Sequence, residues 1–400
     1  MARCSVDAKQ VARDRLSATR KSLLELSRRI HAHPELGFEE EKACGWLAEV
    51  LDQAGFAVKT GVCDLPTAFS ATAGHGPLNI GIMAEYDSLP GVGHACGHNL
   101  IAAMTVGAAL AAAKVADDAG LTITVLGTPA EEIGNAGGKV LMLERGAFKG
   151  LHAAMMVHPA PMDMLQPKII AASMFDVHYT GKEAHASAFP ELGINAADAL
   201  TIAQTSIGLL RQHIRQTDRI HGICTHGGDA PNIVPAYTSA RYIIRGETVQ
   251  AMEELRVKVR RCFEAGALAT GSKLEIKGGD KPYAEMRHDA DMAEIYRRNA
   301  EALGRSFDIP AKARAFVTPE TAARFSASTD MGNVSLLLPA IHPMIGIDSF
   351  PAVNHQPEFT AHCVSPAADQ ALWDGALAMA WTMMDMATEP GLRQRLLARH

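Results

Sequence analysis

The chain has 400 residues, of which 48% are hydrophobic and 20% charged, and its net charge is −6. This composition is typical of a globular protein long enough for two domains, and the absence of a basic cluster argues against nucleic acid as a partner. The longest apolar run, 101–113, is too short to span a membrane, so no membrane partner is expected. Residues 1–9 lack the apolar core of a secretory signal. The seven cysteines are scattered without a CxxC pair, which predicts a reducing compartment and a cytoplasmic location.

Helical spacing of apolar residues predicts two helices early in the chain, at 17–31 and 40–54. Strand-like and helical runs then alternate, in the order strand 78–83, helix 101–116, strand 121–126, helix 138–144 and strand 153–157. Such alternation is typical of βαβ units. The sequence therefore predicts an α/β domain with a mostly parallel sheet flanked by helices.

The pattern changes near residue 169. Runs in the order strand, helix, strand, strand, helix, strand follow at 173–179, 196–212, 220–225, 238–245, 249–265 and 273–277. This order predicts a ferredoxin-like α+β module, whose second helix is expected to stop at Gly266.

After Pro282 the sequence predicts a helix at 290–303, a short strand at 313–317 and a final helix at 367–387. The α/β pattern thus resumes behind the inserted module. We expect one α/β domain formed by 1–168 and 284–400, interrupted by a smaller domain at 169–283.

The segment 84–99 carries the densest group of chemically active side chains. It contains the carboxylates Glu85 and Asp87 and the pair Cys96 and His98, in a loop rich in Gly and Pro between a predicted strand and a predicted helix. In open α/β sheets, ligands bind at the carboxyl ends of the strands. A thiolate and an imidazole two residues apart, with carboxylates nearby, indicate a transition-metal site.

Further candidate ligands follow at strand ends and in a late loop. Glu131 and Glu132 end the strand-like run that begins at residue 121, His158 ends the run 153–157, and His355 lies ahead of the final helix. Each alone has an ordinary structural explanation, as solvated charge or as a core histidine. Metal-dependent hydrolysis needs one carboxylate on the metal and another that accepts a proton from water. Side chains of adjacent residues diverge, so the two glutamates can divide these roles.

Other catalytic patterns are weak or missing from the sequence. No HExxH, GxSxG or GxxxxGK[ST] sequence occurs. The run 91–97 is similar to a dinucleotide-binding loop but has Cys96 at the third glycine position. A nucleophilic Cys96 paired with His94 or His98 stays open, although residues two apart on one loop seldom give a thiolate–imidazole pair its approach geometry.

Several motifs occur together in an order that resembles a known family. They are His33-Pro34-Glu35-Leu36-Gly37-Phe38-Glu39-Glu40, the loop His94–His98, Pro129-Ala130-Glu131-Glu132, His158 and Gly181-Lys182-Glu183-Ala184-His185-Ala186. Over nearly its whole length the chain resembles the amidohydrolase branch of the dimetal aminoacylase/carboxypeptidase-type metallopeptidases. It is most similar to the aminobenzoyl-glutamate hydrolase and β-alanyl dipeptidase-like members. The resemblance implies a zinc-peptidase-like catalytic domain with an inserted lid and dimerisation domain.

The resemblance also implies a cofactor of two divalent metal ions, zinc or manganese, or else cobalt. Their implied ligands are Cys96, His98, Glu132, His158 and His355, with Cys96 bridging the two ions. Glu131 would be the general base that takes a proton from the attacking water and later passes it to the leaving amine. Asp87 would orient a ligand imidazole. The peptidase branch has a histidine ligand where this chain has Glu85, so Glu85 stays outside the implied set.

The inserted domain carries the other implied functional residues. In relatives, the loop that corresponds to 181–186 places an imidazole in the partner subunit's active site. The resemblance therefore implies that His185 polarises the scissile carbonyl within a homodimer. Asn232 and Arg245 are similar to groups that bind the substrate's carbonyl or carboxylate. Asp330 matches a further motif only in outline, and a structural turn fits it equally well.

The sequence thus predicts a metal-dependent hydrolase that cleaves an amide bond by metal-activated water with a glutamate base. The expected substrates are N-acyl amino acids, aminobenzoyl-glutamate-like conjugates and unusual dipeptides. Two alternatives stay open: a cysteine hydrolase that uses Cys96, and a binding protein that keeps the fold without catalysis.

Overall fold

The computed structural model describes residues 4–318 and 326–399, which group into two compact units. The first unit contains the described residues up to Ile133, Gly137–Lys168 and those from Met286 onward. The second contains Gly134–Ala136 and Ile169–Glu285. It covers the segment 169–283 that the sequence pattern sets apart, extends to residue 285, and includes a short piece of an earlier loop.

The first unit contains a sheet with helices packed against it. Its helices are α1 (Cys4–His31), α2 (Glu41–Gln53), α3 (His98–Ala113), α4 (Ala116–Ala119), α5 (Gly138–Glu144), α8 (Ala290–Glu301), α9 (Met331–Leu337), α10 (Pro357–His362), α11 (Pro366–Thr388) and α12 (Pro390–Leu397). Its strands are β1 (Ala57–Thr60), β2 (Phe69–Ala73), β3 (Leu78–Ala84), β4 (Leu121–Gly127), β5 (Ala153–Met155), β6 (His158–Ala160), β11 (Ala340–Ile341) and β12 (Met344–Gly346). Among the described helices, none combines the length and apolar character needed to cross a membrane.

Six of these strands form one sheet in the order β1-β2-β4-β3-β5-β11. The pairs β3–β4, β3–β5 and β5–β11 are parallel, which confirms the mostly parallel sheet. The strands β1 and β2, which the sequence pattern did not predict, add an antiparallel edge. In the pair β3–β4, Ala84 lies opposite Gly127, so both strands end at the same level of the sheet. The loops that follow them therefore start side by side.

Helix α3 brings one end of the segment 84–99 into the core. It is Ala-rich and apolar on every side, which is typical of a fully buried helix, and every residue from His98 to Ala112 is buried. It packs against α1 and α11. Because His98 is the first residue of α3, burial of the helix holds this imidazole at the carboxyl edge of the sheet.

The second unit has the predicted βαββαβ order. Its elements are β7 (Ala171–Thr180), α6 (Ala196–Leu210), β8 (Arg219–His226), β9 (Tyr237–Gly246), α7 (Val249–Thr270) and β10 (Lys273–Gly278). The strands form an antiparallel sheet in the order β10-β7-β9-β8. This order confirms the ferredoxin-like module. The unit has its own buried cluster, which includes Phe175, Tyr179, Tyr242 and Phe263.

Two local predictions are wrong. The predicted strand 313–317 is instead a short 3-10 helix, Ala311–Ala315, and its Ala, Lys and Arg residues favour helical over extended backbone. Helix α7 does not stop at Gly266 but continues to Thr270, and Gly271, with a φ of 76°, follows its last residue. A Cβ at Gly266 would overlap the carbonyl oxygen of Ala199 in α6. This glycine therefore serves a close helix crossing and not a helix end.

Candidate metal centre

Three loops that leave the carboxyl edge of the main sheet converge in the first unit. The loop after β3 contains Asp87 and Cys96, the loop after β4 contains Glu131 and Glu132, and His158 lies just after β5. The Thr128 backbone N–H donates to the Ala84 carbonyl over 2.8 Å, which keeps the first two loops in contact. All of these residues except Glu132, which is half-buried, are buried.

Hydrogen bonds fix the orientation of two imidazoles. The Nδ1 of His98 lies 2.9 Å from Asp87 Oδ1, and the Nδ1 of His158 lies 2.7 Å from the Pro159 carbonyl oxygen. Carboxylate and carbonyl oxygens accept, so each Nδ1 carries the hydrogen and each Nε2 presents its lone pair. The Nε2 of His158 lies 3.4 Å from Cys96 Sγ. The sulfur and both imidazoles thus form a set whose ligand atoms all lie within 4.8 Å of one another.

A second set shares the same sulfur. Cys96, Glu132 and His355 also offer ligand atoms that all lie within 4.8 Å of one another, and His355 Nε2 is 3.5 Å from Glu132 Oε1. The His355 backbone has a φ of 72°, an unusual value outside glycine, and its N–H donates to the Ala95 carbonyl over 2.8 Å. Cys96 belongs to both sets, so its sulfur is placed where a bridging ligand would lie.

Asp87 connects the two sets through its two oxygens. Oδ1 accepts from His98, and Oδ2 accepts from the Glu132 backbone N–H over 2.9 Å. A third set, formed by His98, Glu131 and Glu132, again has ligand atoms within 4.8 Å. The structure therefore brings together all seven first-unit residues that the sequence singled out for chemistry: Asp87, Cys96, His98, Glu131, Glu132, His158 and His355.

The electrostatics of the site favour cations. Burial by itself would raise the pKa of the Cys96 thiol, but the neighbouring His158 and the hydrogen bonds from the imidazoles lower it well below its usual value. Hydrogen bonds to Cys96 and Glu132 raise the pKa of His355 to about 11. Burial and the Cys96 charge raise the pKa of Glu132 to about 7. These directions indicate a negative potential where the ligand atoms meet.

Glu131 lies in the most acidic surroundings of the group. Burial, followed by the charges of Glu85, Glu132 and Asp330, raises the pKa of its carboxyl group well above the usual value. The preceding residue, Ala130, has a φ of 57°, a conformation that L-residues adopt at some cost. Strained backbone of this kind is common where a loop must aim functional side chains.

The side chains present fit divalent transition-metal ions. Thiolate, imidazole and carboxylate are the donors that zinc and similar ions prefer. Within the described part of the chain, no residue supplies a hydrogen-bond partner to His98 Nε2 or Glu132 Oε1, although both atoms are buried. Buried polar atoms are costly without a partner, and both atoms face the meeting point of the ligand sets.

The remaining predicted residues lie in the second unit. The backbone N–H groups of Ser187 and Ala188 donate to Nδ1 of the exposed His185, over 3.3 and 3.2 Å. In the neutral imidazole the hydrogen is then on Nε2. Asn232 lies beside this loop, because its carbonyl accepts from the Ala186 N–H over 3.0 Å. Arg245 ends β9, where its Nε donates to His221 over 3.3 Å.

The structure also reveals supporting residues that sequence reasoning missed. Glu40 Oε1 accepts from the Ala130 N–H over 2.7 Å, and Asn354 Nδ2 donates to the Pro159 carbonyl over 3.2 Å and lies 3.8 Å from Cys96 Sγ. Lys139 is completely buried against two carboxylates, Glu85 and Asp330. Two weak signals were present: Glu40 belongs to the motif at 33–40, and Asn354 immediately precedes His355.

Comparisons with known proteins agree with this geometry. The description "Peptidase family M20/M25/M40" matches residues 81–368. The chain is 37% identical to the mouse Xaa-Arg dipeptidase over 96% of this chain and 90% of that protein. It is 33% identical to a p-aminobenzoyl-glutamate hydrolase of Escherichia coli, over 66% of this chain and 59% of that protein.

A solved structure shares the fold. It is a Bacillus subtilis protein described as a dinuclear metal binding peptidase of the M20 family, with a TM-score of 0.60 and 20% identity, and the match covers 90% of this chain and 98% of that chain. At this identity the likeness shows that the two chains share the zinc-peptidase-like fold.

Proposed function

Because this chain belongs to the peptidase M20/M25/M40 family and is a metal-dependent hydrolase of amide bonds, we propose that it cleaves an unusual dipeptide, an N-acyl amino acid or an aminobenzoyl-glutamate-like conjugate at a two-metal centre. The observation that supports this most directly is the shared position of Cys96 Sγ in two sets of ligand atoms. Among these substrates, dipeptides with a cationic carboxyl-terminal residue come first, since the relative that matches 96% of the chain is named Xaa-Arg dipeptidase.

Five residues would hold the two ions. They are Cys96, His98, Glu132, His158 and His355. Two divalent ions, zinc, manganese or cobalt, would polarise the scissile carbonyl and make the attacking water more acidic. Asp87 would keep both His98 Nε2 and the Glu132 segment in place through the hydrogen bonds described above.

Glu131 would act as the general base. Its carboxylate lies beside His98 and Glu132 without a ligand's role in the proposed set, and its raised pKa makes it a better proton acceptor near neutral pH. It would accept a proton from the water as the water attacks the carbonyl carbon. The same oxygen would then deliver that proton to the leaving nitrogen, so that one carboxyl group serves both steps.

The second unit would supply substrate contacts. With its Nδ1 accepting from two backbone N–H groups, a neutral His185 would donate from Nε2 to the oxygen that becomes negative in the transition state. Asn232 and Arg245 would bind the substrate's carbonyl or carboxylate. A homodimer formed through this unit and a cytoplasmic location are parts of the same proposal.

Two observations weigh against the alternatives. Cys96 lies close to carboxylates as well as imidazoles, an environment suited to a metal ligand more than to a nucleophile. A protein that had lost catalysis would have no reason to keep Glu131 next to a complete ligand set. The metal-dependent hydrolase therefore stays the favoured function.

The proposal is tested by chelation and by three variants. Removal of divalent ions should abolish hydrolysis of a dipeptide panel, and added Zn²⁺, Mn²⁺ or Co²⁺ should restore it. E131Q should keep its metal content by elemental analysis and lose at least a hundredfold in kcat, whereas C96S should lose metal. C224S, at an exposed cysteine, is the matched control. Full activity in chelator together with inactivation by thiol alkylation would support the cysteine hydrolase instead.

A further inference from the structure

Lys139 makes the most unusual ion pair in the first unit. Its side chain is completely buried, and its Nζ lies 2.6 Å from Glu85 Oε1 and 2.6 Å from Asp330 Oδ1. Lysine is rarely buried, and a buried ammonium is tolerated only when it is closely paired. Such a costly arrangement next to the proposed metal centre calls for a functional explanation.

Asp330 holds Lys139 at two points. Besides the contact of Oδ1 with the ammonium, Asp330 Oδ2 accepts from the Lys139 backbone N–H over 2.9 Å. Lys139 lies in the first turn of α5, and Asp330 immediately precedes α9. The ammonium group is therefore fixed from both the main chain and the side chain, which leaves it little freedom.

Glu85 connects this pair to the proposed ligands. One carboxylate oxygen, Oε1, binds Lys139, and the other, Oε2, lies 3.5 Å from His98 Nε2. Glu85 Oε2 is buried, and none of the described residues gives it a hydrogen-bond partner. The same imidazole is held from its other side by Asp87. His98 Nε2 thus faces a carboxylate oxygen whose direction is set by Lys139.

We propose that Lys139 is a positioning residue for the metal centre, which acts by holding Glu85 so that its second oxygen faces His98 Nε2. The inference rests on the proposed function, in which His98 is a metal ligand. Without the ammonium, the carboxylates of Glu85 and Asp330 would repel each other and Glu131, because all three lie close together in a medium that screens charge poorly. Glu85 would then turn away from its present direction.

The test compares Co²⁺ binding with folding. Metal-free enzyme is titrated with Co²⁺, followed by the visible absorption of the ion, and melting temperatures are measured in parallel. K139M should bind Co²⁺ tenfold to a hundredfold more weakly than the unchanged chain, a typical cost of losing an outer partner of a metal ligand. K149M, at an exposed lysine of the same region, should bind Co²⁺ as the unchanged chain does.

Two further variants keep the test decisive if K139M fails to fold. The triple variant E85Q/K139M/D330N carries no buried charge in this cluster and should fold, yet it should bind Co²⁺ at least tenfold more weakly. E85Q keeps the Lys139–Asp330 pair and should also weaken Co²⁺ binding. Unchanged Co²⁺ affinity in either folded variant would overturn the proposal and leave Lys139 with a stabilising role alone. Failure of the unchanged chain to bind Co²⁺ would instead refute the proposed function.

Discussion

Asp87 shows how one carboxylate can organise a metal site from outside it. Its two oxygens accept from two different partners, the His98 imidazole and the Glu132 backbone, over 2.9 Å each. Both partners are proposed ligands, one from each side of the Cys96 sulfur. The position of a ligand imidazole and that of a ligand carboxylate therefore depend on the same side chain.

D87N should weaken metal binding by tenfold to a hundredfold. Asparagine has one accepting oxygen, so it cannot accept from both His98 Nδ1 and the Glu132 N–H, and its amide group would face one of these donors. The check is a Co²⁺ or Zn²⁺ titration of the metal-free protein. D52N, at an exposed position on α2, controls for the change of charge. Equal affinities of D87N and D52N would show that Asp87 does not organise the site.

The sequence allowed the residues that meet at the site to be singled out, but not the ones that support them. Cys96, His98 and His158 stand out because thiols and imidazoles at strand ends are uncommon. Lys139 and Glu40 do not, because charged residues are usually solvated and nothing in a linear sequence marks these two as buried. Their importance depends on long-range contacts, such as the one between Lys139 and Asp330, that only the folded chain creates.

At the scale of elements, the segment 33–40 supports the loop that carries the two glutamates. A Cβ at Gly37 would lie 2.9 Å from the Ala130 Cβ, so the two segments are in close contact. The Glu40 carboxylate accepts from the Ala130 N–H, at the residue whose φ is 57°. The motif at 33–40 therefore acts on the base from behind and does not contribute a proposed ligand.

Glu40 should make stability depend on pH. Burial, with a contribution from the Asp87 charge, raises the pKa of Glu40 from about 4.5 to about 7. The folded chain therefore holds this proton more tightly than the unfolded chain. The resulting stabilisation is complete below pH 4.5 and is lost as the pH rises to about 7. It amounts to on the order of 3 kcal/mol.

The measurement is the free energy of unfolding of the metal-free protein between pH 5 and pH 8. The unchanged chain should lose stability relative to E40Q as the pH rises, because glutamine can still accept from the Ala130 N–H but does not ionise. E39Q, at an exposed neighbour, should follow the unchanged chain. A constant difference between the unchanged chain and E40Q would show that the pKa of Glu40 is not raised.

The crossing of α6 and α7 depends on a glycine that looks like a helix stop in the sequence. G266A should destabilise the second unit by at least ~1–3 kcal/mol, because the new Cβ would overlap the Ala199 carbonyl oxygen. G208A is the matched control: this exposed glycine of α6 has open space where a Cβ would go. Alanine there should stabilise the helix by up to ~1 kcal/mol. Thermal unfolding distinguishes the two; a neutral G266A would show that the helices can move apart.

At the scale of the whole molecule, the fold was predictable where the periodic runs are long. The order of strands and helices in the second unit follows from its sequence pattern, because each of its strands has six or more residues. The short strands β1, β11 and β12 have two to four residues each, too few for a periodic pattern to appear. They form because neighbouring strands offer backbone partners, as β5 does for β11.

The second unit is joined to the first at two neighbouring points of its own chain. Near its ends, Ala172 and Tyr283 form an antiparallel bridge, with N–H to carbonyl distances of 3.0 and 2.9 Å in the two directions. Its buried cluster consists of residues between Ala171 and Phe263, so its core is made from its own chain. A short linker could therefore replace the segment without stretching the rest of the chain.

This separation predicts that metal binding and hydrolysis can be divided. All five proposed ligands lie in the first unit, whereas His185, Asn232 and Arg245 lie in the second. A chain in which 173–282 is replaced by a short glycine-rich linker should fold, bind Co²⁺ with little change in affinity, and lose hydrolysis of the dipeptide panel. Circular dichroism, Co²⁺ titration and the activity assay together check this. H185A in the full-length chain, expected to lose a hundredfold to a thousandfold in kcat while keeping its metal, is the matched point variant. Retained hydrolysis in the shortened chain would place all catalytic groups in the first unit, and loss of Co²⁺ binding by a folded shortened chain would mean that the second unit supplies or shapes part of the metal site.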